Sequence, residues 1–170
     1  MNQFTIQAQR ALQLAIEVAE ECHHQYIGTE HILMGLVREG TAVAGKVLKA
    51  NNVTEEKISE MIAKFISNDG KLSLADPSGY TPSAKRVLEQ TMQEAREGES
   101  RLVGTEHLLL AILKDGNCVA SRIISTLGAS AQKIYSQLNS AMGRDQFVEN
   151  KGQKENSVRN SQTPTLDQYS

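Results

Sequence analysis

The chain has no tryptophan, and aromatic residues make up only 4% of its 170 residues. A core without large rings must be built from Leu, Ile, Val, Ala and Met, which favours packed helices over a β-sandwich. Cysteine is scarce too. Cys22 and Cys118 stand alone, neither with a second cysteine at metal-ligand spacing, so neither a disulfide framework nor a Cys-rich zinc site is indicated. The formal charge is only −2, which excludes a strong field toward nucleic acid or anionic lipid. No apolar run approaches the ~20 residues of a membrane span, and no basic-then-apolar leader follows Met1. These absences lead us to expect a cytoplasmic chain with free thiols, without nucleic-acid or membrane partners.

The chain carries a duplication. Displaced by 76 positions, it falls on itself without a gap. Thr5 meets Thr81, Ala8 meets Ala84, and Leu12 meets Leu88. Gly28-Thr29-Glu30-His31 meets Gly104-Thr105-Glu106-His107, and Gly40 meets Gly116. Two long copies imply two similar units in one all-α domain of eight helices, four per copy, related by a pseudo-twofold.

In each copy, the first helix opens at Thr5 or at Thr81-Pro82, where Thr is an N-cap and Pro occupies the first helical position. The second starts at Thr29 or Thr105 and stops near Gly40 or Gly116. A third, short helix covers about 42–50 or 118–126. The fourth follows Thr54 or Ser130 and runs to about Phe65 or Met142. The domain therefore covers 1–143, with repeats at about 3–67 and 79–143 joined by Ser67–Gly79. Residues 144–170 are polar and aperiodic and are expected to be a flexible linker.

Several patterns invite chemistry. GTAVAGKV, Gly40 to Val47, nearly spells a phosphate loop, but Val47 stands where a magnesium-binding hydroxyl is needed and no strand pattern precedes it. No ATP site, and no cofactor, is expected in this chain. His23 and His24 follow one another on what reads as a helix, so their side chains should diverge by roughly 100°. With His31 and His107 they are expected to be surface or cap histidines, with no metal site, and Cys22 an inert thiol. No catalytic residue is identified; a small hydrolase using Cys22 or a histidine is the weakest reading.

The GTEH runs have a structural account. Thr29 and Thr105 are expected to cap their own helices, and Glu30 and Glu106 lie in the first turn, where a carboxylate suits the helix dipole. A functional account stands beside it. Helix starts at Thr5 and Thr81 offer N–H groups and a hydroxyl to an anion, and a nearby carboxylate could take a cation.

FTIQAQRALQLA, YIGTEHILMGLVREG, YTPSAKRVLE and LVGTEHLLLAILKDG resemble the paired motifs of the Clp N-terminal domain, ClpC type, over about residues 3–143. TPTLDQYS resembles the end of the linker leading into a first AAA+ module. The resemblance implies the substrate- and adaptor-binding module of a hexameric unfoldase that works with the ClpP peptidase; ATP and Mg belong to the full-length parent. Partners of the MecA type and proteins tagged with phosphoarginine are implied. It also implies that Glu30 with Thr5 forms one phosphoarginine site, and Glu106 with Thr81 a second, stronger one to which Lys85 adds charge. Ile6 departs from the polar residue often found beside that Thr. The alternative is a freestanding domain of this kind acting as adaptor or decoy, without an ATPase.

Overall fold

The computed structural model describes residues 3–66 and 79–142. Most of the expected connection Ser67–Gly79 and all of the expected linker 144–170 lie outside them. Contacts divide the chain into two units, Met1–Tyr135 and Ser136–Ser170.

Eight helices are present among the described residues. The first copy supplies α1 (Ile6–Glu21), α2 (Thr29–Glu39), α3 (Val43–Ala50) and α4 (Glu55–Ile66). The second supplies α5 (Pro82–Glu97), α6 (Thr105–Asp115), α7 (Val119–Thr126) and α8 (Ala131–Met142). The all-α expectation holds, and each helix lies within a few residues of its expected bounds. Thr5 accepts the Ala8 N–H at 3.0 Å and Thr81 the Ala84 N–H at 3.0 Å, so both are N-caps. Thr54 and Ser130 do the same for Lys57 and Lys133. Gly40 and Gly116 end α2 and α6 at φ 66° and 50°, conformations that suit glycine.

The core is centred on α2 and α6. Thr29 through Val37 are all buried, and so are Thr105 and His107 to Ile112. A helix apolar on every side must be surrounded. Helix α2 packs on α1, α3, α4 and α7, and α6 on α5, α3 and α7. Gly35 lets α1 and α2 approach closely, since a Cβ there would lie 2.2 Å from the Ala11 carbonyl oxygen.

Two features join the copies, and neither is apparent in the helical pattern. The first is a pair of two-residue strands, β1 (Gln3–Phe4) and β2 (Leu102–Val103), which run parallel. The Thr5 N–H continues the ladder to the Val103 carbonyl at 3.0 Å. The matching segments repeat it: Ile27 bridges Tyr80, and the Thr81 N–H reaches the Ile27 carbonyl at 3.0 Å.

The second feature corrects the capping role expected of Thr29 and Thr105. Gly28 and Gly104 are the N-caps of α2 and α6; each Thr is the first helical residue. Their hydroxyls reach across instead. Thr29 Oγ1 accepts the Ala120 N–H at 3.1 Å, and Thr105 Oγ1 accepts the Ala44 N–H at 3.4 Å. Ala120 and Ala44 lie in the first turns of α7 and α3, whose own N-caps, Cys118 and Ala42, make no side-chain cap bond. Each threonine thus satisfies a buried N–H in the other copy. These reciprocal bonds are direct evidence for the pseudo-twofold.

Candidate functional site

The two GTEH turns are built alike. At each, the histidine three residues past the capping glycine folds back as an acceptor. His31 Nδ1 takes the Gly28 N–H at 2.9 Å, and His107 Nδ1 takes the Gly104 N–H at 2.9 Å. This is a capping box with imidazole in the place of the usual carboxylate or amide.

The carboxylates fold back too, over the glycines. A Cβ on Gly28 would lie 2.5 Å from Glu30 Oε1, and one on Gly104 would lie 2.5 Å from Glu106 Oε1. Glycine here makes room for the glutamate side chain and is not called for by the backbone, whose extended φ of −103° suits any residue at both positions. Glu30 is buried, with 3% of its surface exposed, whereas Glu106 is partly open. Burial pushes the Glu30 carboxyl up to about 7; a hydrogen bond from its own backbone N–H pulls the other way. His31 Nδ1 lies 4.0 Å from Glu30 Oε2, but burial, then His24, pulls His31 down to about 3. A neutral imidazole offers Glu30 no ion pair.

The backbone settles which helix start lies beside which glutamate, and it reverses the grouping expected above. Thr81 is bonded to Ile27, next to Gly28, so Thr81 and the start of α5 lie beside the first GTEH turn. Thr5 is bonded to Val103, next to Gly104, so the start of α1 lies beside the second. Thr5 and Glu30 are far apart for a simple reason. Helices α1 and α2 run antiparallel through a short turn, so Ile6, Gln7 and Arg10 share a surface cavity with Arg38, Glu39 and Thr41. Those residues mark the opposite end of α2, about 13 Å from Glu30 along the helix at 1.5 Å per residue. Glu30 is thus grouped with Thr81, and Glu106 with Thr5. Lys85 is exposed and one turn into α5, the helix whose start lies beside the first GTEH turn. Gln9, its counterpart in α1, donates to the Phe4 carbonyl at 3.0 Å.

The helix starts differ in their donors. Each Thr hydroxyl takes the N–H of the third helical residue. At α1 the first two residues, Ile6 and Gln7, carry N–H groups. At α5 the first is Pro82, which has none, leaving Ser83.

The other candidates also find places. GTAVAGKV spans the left-handed end of α2 and the start of α3; a helix, not a strand, precedes it. Cys118 is buried, and Cys22 is half-buried. His23 and His24 do not lie on a helix. Cys22 ends α1, and His23 takes a left-handed φ of 60°. The turn brings His24 back, so that its Nδ1 lies 2.8 Å from His31 Nε2 and its ring stacks on Tyr26. Sequence spacing gave no sign of this, because a single left-handed residue cancels the helical divergence.

Comparison with known proteins fits the fold and the repeat. The family model for the Clp repeat (R) N-terminal domain matches residues 3–124 and 79–167. The chain is 41% identical over 166 residues to the negative regulator of genetic competence ClpC/MecB of Bacillus subtilis, covering 98% of the chain and 20% of that protein. It is 38% identical over 169 residues to the ATP-dependent Clp protease ATP-binding subunit ClpC of Staphylococcus aureus, with the same coverage. It therefore spans about a fifth of the length of the curated relatives it matches. The crystal structure of the N-terminal domain of the chaperone ClpD from Arabidopsis thaliana superposes with a TM-score of 0.68 at 22% identity, covering 82% of this chain and 97% of that one. The Hsp104 N-terminal domain from Candida albicans gives 0.66 at 17%, covering 84% and 93%. These two likenesses speak to the fold.

Proposed function

The chain belongs to the Clp repeat N-terminal domain family, and from that premise we propose that it is the substrate- and adaptor-receiving module of a ClpC-type AAA+ unfoldase that feeds a ClpP peptidase. We propose further that it takes proteins tagged with phosphoarginine, and that adaptors of the MecA type dock on it. Residues 1–143 form the receiving domain in this reading, and 144–170 the linker toward the ATPase.

One observation carries the ligand assignment. Each GTEH carboxylate lies beside the Thr-capped start of a helix from the other copy. A guanidinium fits a carboxylate, and a phosphoryl group fits a helix N-terminus with its hydroxyl. Phosphoarginine carries both within one small head group. Glu30 with Thr81 and Lys85 forms the first pocket, and Glu106 with Thr5 the second.

Calorimetric titration of free phosphoarginine tests this. Wild type should show two sites. Glu30→Ala and Thr81→Ala should remove the same one, and Glu106→Ala and Thr5→Ala the other. Absence of binding to wild type refutes the phosphoarginine reading. Loss of one shared site in Glu30→Ala and Thr5→Ala refutes the crossed grouping. Adaptor docking is tested separately, by co-elution of the chain with a purified MecA-type protein; no complex at micromolar concentrations argues against it.

A further inference from the structure

The second copy serves as an internal control for the first. Its capping box needs only His107 and Gly104, with the Ser100 hydroxyl 3.4 Å from His107 Nε2. In the first copy the position of Ser100 is held by His24, and that of Gly98 by Cys22. Both exchanges put a metal-ligating side chain where the matching turn folds without one. The structure brings them together. Cys22 Sγ, one ring nitrogen of His24 and one of His31 all lie within 4.8 Å of one another. Tetrahedral zinc, at about 2.3 Å to sulfur and about 2.0 Å to nitrogen, places its ligand atoms roughly 3.3–3.6 Å apart. The 2.8 Å between His24 Nδ1 and His31 Nε2 would have to open only slightly.

We propose that Cys22, His24 and His31 form a site for a thiophilic divalent ion, Zn²⁺ in the first instance, with water as the fourth ligand. The inference stands apart from the ligand pockets proposed above.

The proton inventory gives the site a signature. His31 Nδ1 accepts the Gly28 N–H, so the proton of the neutral ring is on Nε2, donated to His24 Nδ1. An ion on Nε2 displaces that proton to Nδ1, and the Gly28 N–H then loses its acceptor. The thiol proton of Cys22 leaves to solution. One proton is released per ion bound, and the capping bond at Gly28 is exchanged for the metal bond. Zinc–ligand bonding in small domains is worth far more than one such hydrogen bond. Gly28 lies against the Glu30 carboxylate, so the ion would loosen the first GTEH turn and leave the second untouched.

Three measurements test the proposal. Cobalt(II), a spectroscopic stand-in for zinc, should bind once per chain with a thiolate charge-transfer band in the near ultraviolet. Cys22→Ser should abolish the band, and His24→Ser, which copies the residue of the second turn, should weaken binding at least tenfold without loss of fold by circular dichroism. Zinc should shift the Gly28 amide resonance and speed its exchange, with Gly104 unmoved. A wild-type titration without a thiolate band overturns the proposal, as does equal zinc binding by Cys22→Ser, which would mean an adventitious ion only. A Gly28 amide unchanged at saturation removes His31 from the ligand set and overturns the three-ligand site.

Discussion

Replacing Thr29 with valine removes one hydroxyl and keeps the shape. The partner is the Ala120 N–H, 3.1 Å away, and both residues are buried, at 1% and 0% exposure. Without the hydroxyl this N–H has no acceptor in its own helix, being in the first turn of α7. A buried donor left unsatisfied costs about 1–3 kcal/mol, and lost caps cost about 0.5–2 kcal/mol. The good geometry at Thr29 puts Thr29→Val near 2 kcal/mol by this argument, about a quarter of the stability of a typical domain. Thr105 holds the Ala44 N–H at 3.4 Å, so Thr105→Val should cost less, about 1 kcal/mol. The two contacts share no partner, so the double variant should lose the sum. Urea unfolding measures both, as a lower midpoint at unchanged slope. Amide exchange at Ala120 and Ala44 localises the loss, and Thr29→Ser, which keeps the hydroxyl, should recover part of it. A cost below about 0.5 kcal/mol for both valine variants would refute the crossed caps as structural bonds. A larger cost at Thr105 than at Thr29 would refute the reading of the distances.

Two other predictions concern the first GTEH turn in metal-free, chelator-treated protein. Burial raises the Glu30 carboxyl from 4.5 to about 7, so its contribution to stability is fully present below pH 4.5 and lost as pH rises through 7. Glu30→Gln should match wild type in acid and exceed it by up to ~3 kcal/mol above pH 8, at 1.36 kcal/mol per pH unit; parallel stability curves across that window would rule this out. Gly28→Ala should destabilise by about 1–3 kcal/mol, because its Cβ meets the Glu30 carboxylate at 2.5 Å. In a Glu30→Ala background the same change should be nearly neutral, and an undiminished cost would place the strain in the backbone instead.

The fold was legible because its helices announce themselves. The stripe Ala8, Leu12, Ala15, the Thr-Pro start at Thr81 and the glycine stops have local causes, and a gapless repeat checks each assignment against its copy. The contacts between copies had no local cause. Two-residue strands such as Gln3–Phe4 and Leu102–Val103 are too short to show an alternating pattern. A threonine at the start of an apolar run reads as that helix's own cap, and nothing local says its hydroxyl serves a helix about ninety residues away, as Thr29 serves Ala120. Which helix start lies beside which GTEH turn was not legible. Sequence order suggests pairing Glu30 with Thr5, whereas an antiparallel α1–α2 hairpin must separate them. Cys22, His24 and His31 were weighed and set aside as ligands because the left-handed turn at His23 is invisible to helical spacing.

The crossing has a consequence for folding. If each copy were a module in its own right, residues 1–66 alone would form a small four-helix unit. The structure argues otherwise. In that half the Ala44 N–H loses Thr105, Ile27 loses Gly79 and Thr81, and Thr5 loses Val103. The face of α2 that packs on α7, buried in the whole domain, would lie open. At roughly 1 kcal/mol for each orphaned hydrogen bond, beyond the lost apolar burial, the deficit exceeds what a chain of this size can spare. A fragment of residues 1–66 should therefore show little helix by circular dichroism. Adding an equimolar fragment of residues 79–143 should restore helicity with a concentration-dependent midpoint. Full helicity and cooperative unfolding in the first fragment alone would show that the crossed bonds decorate two independent units instead of building one.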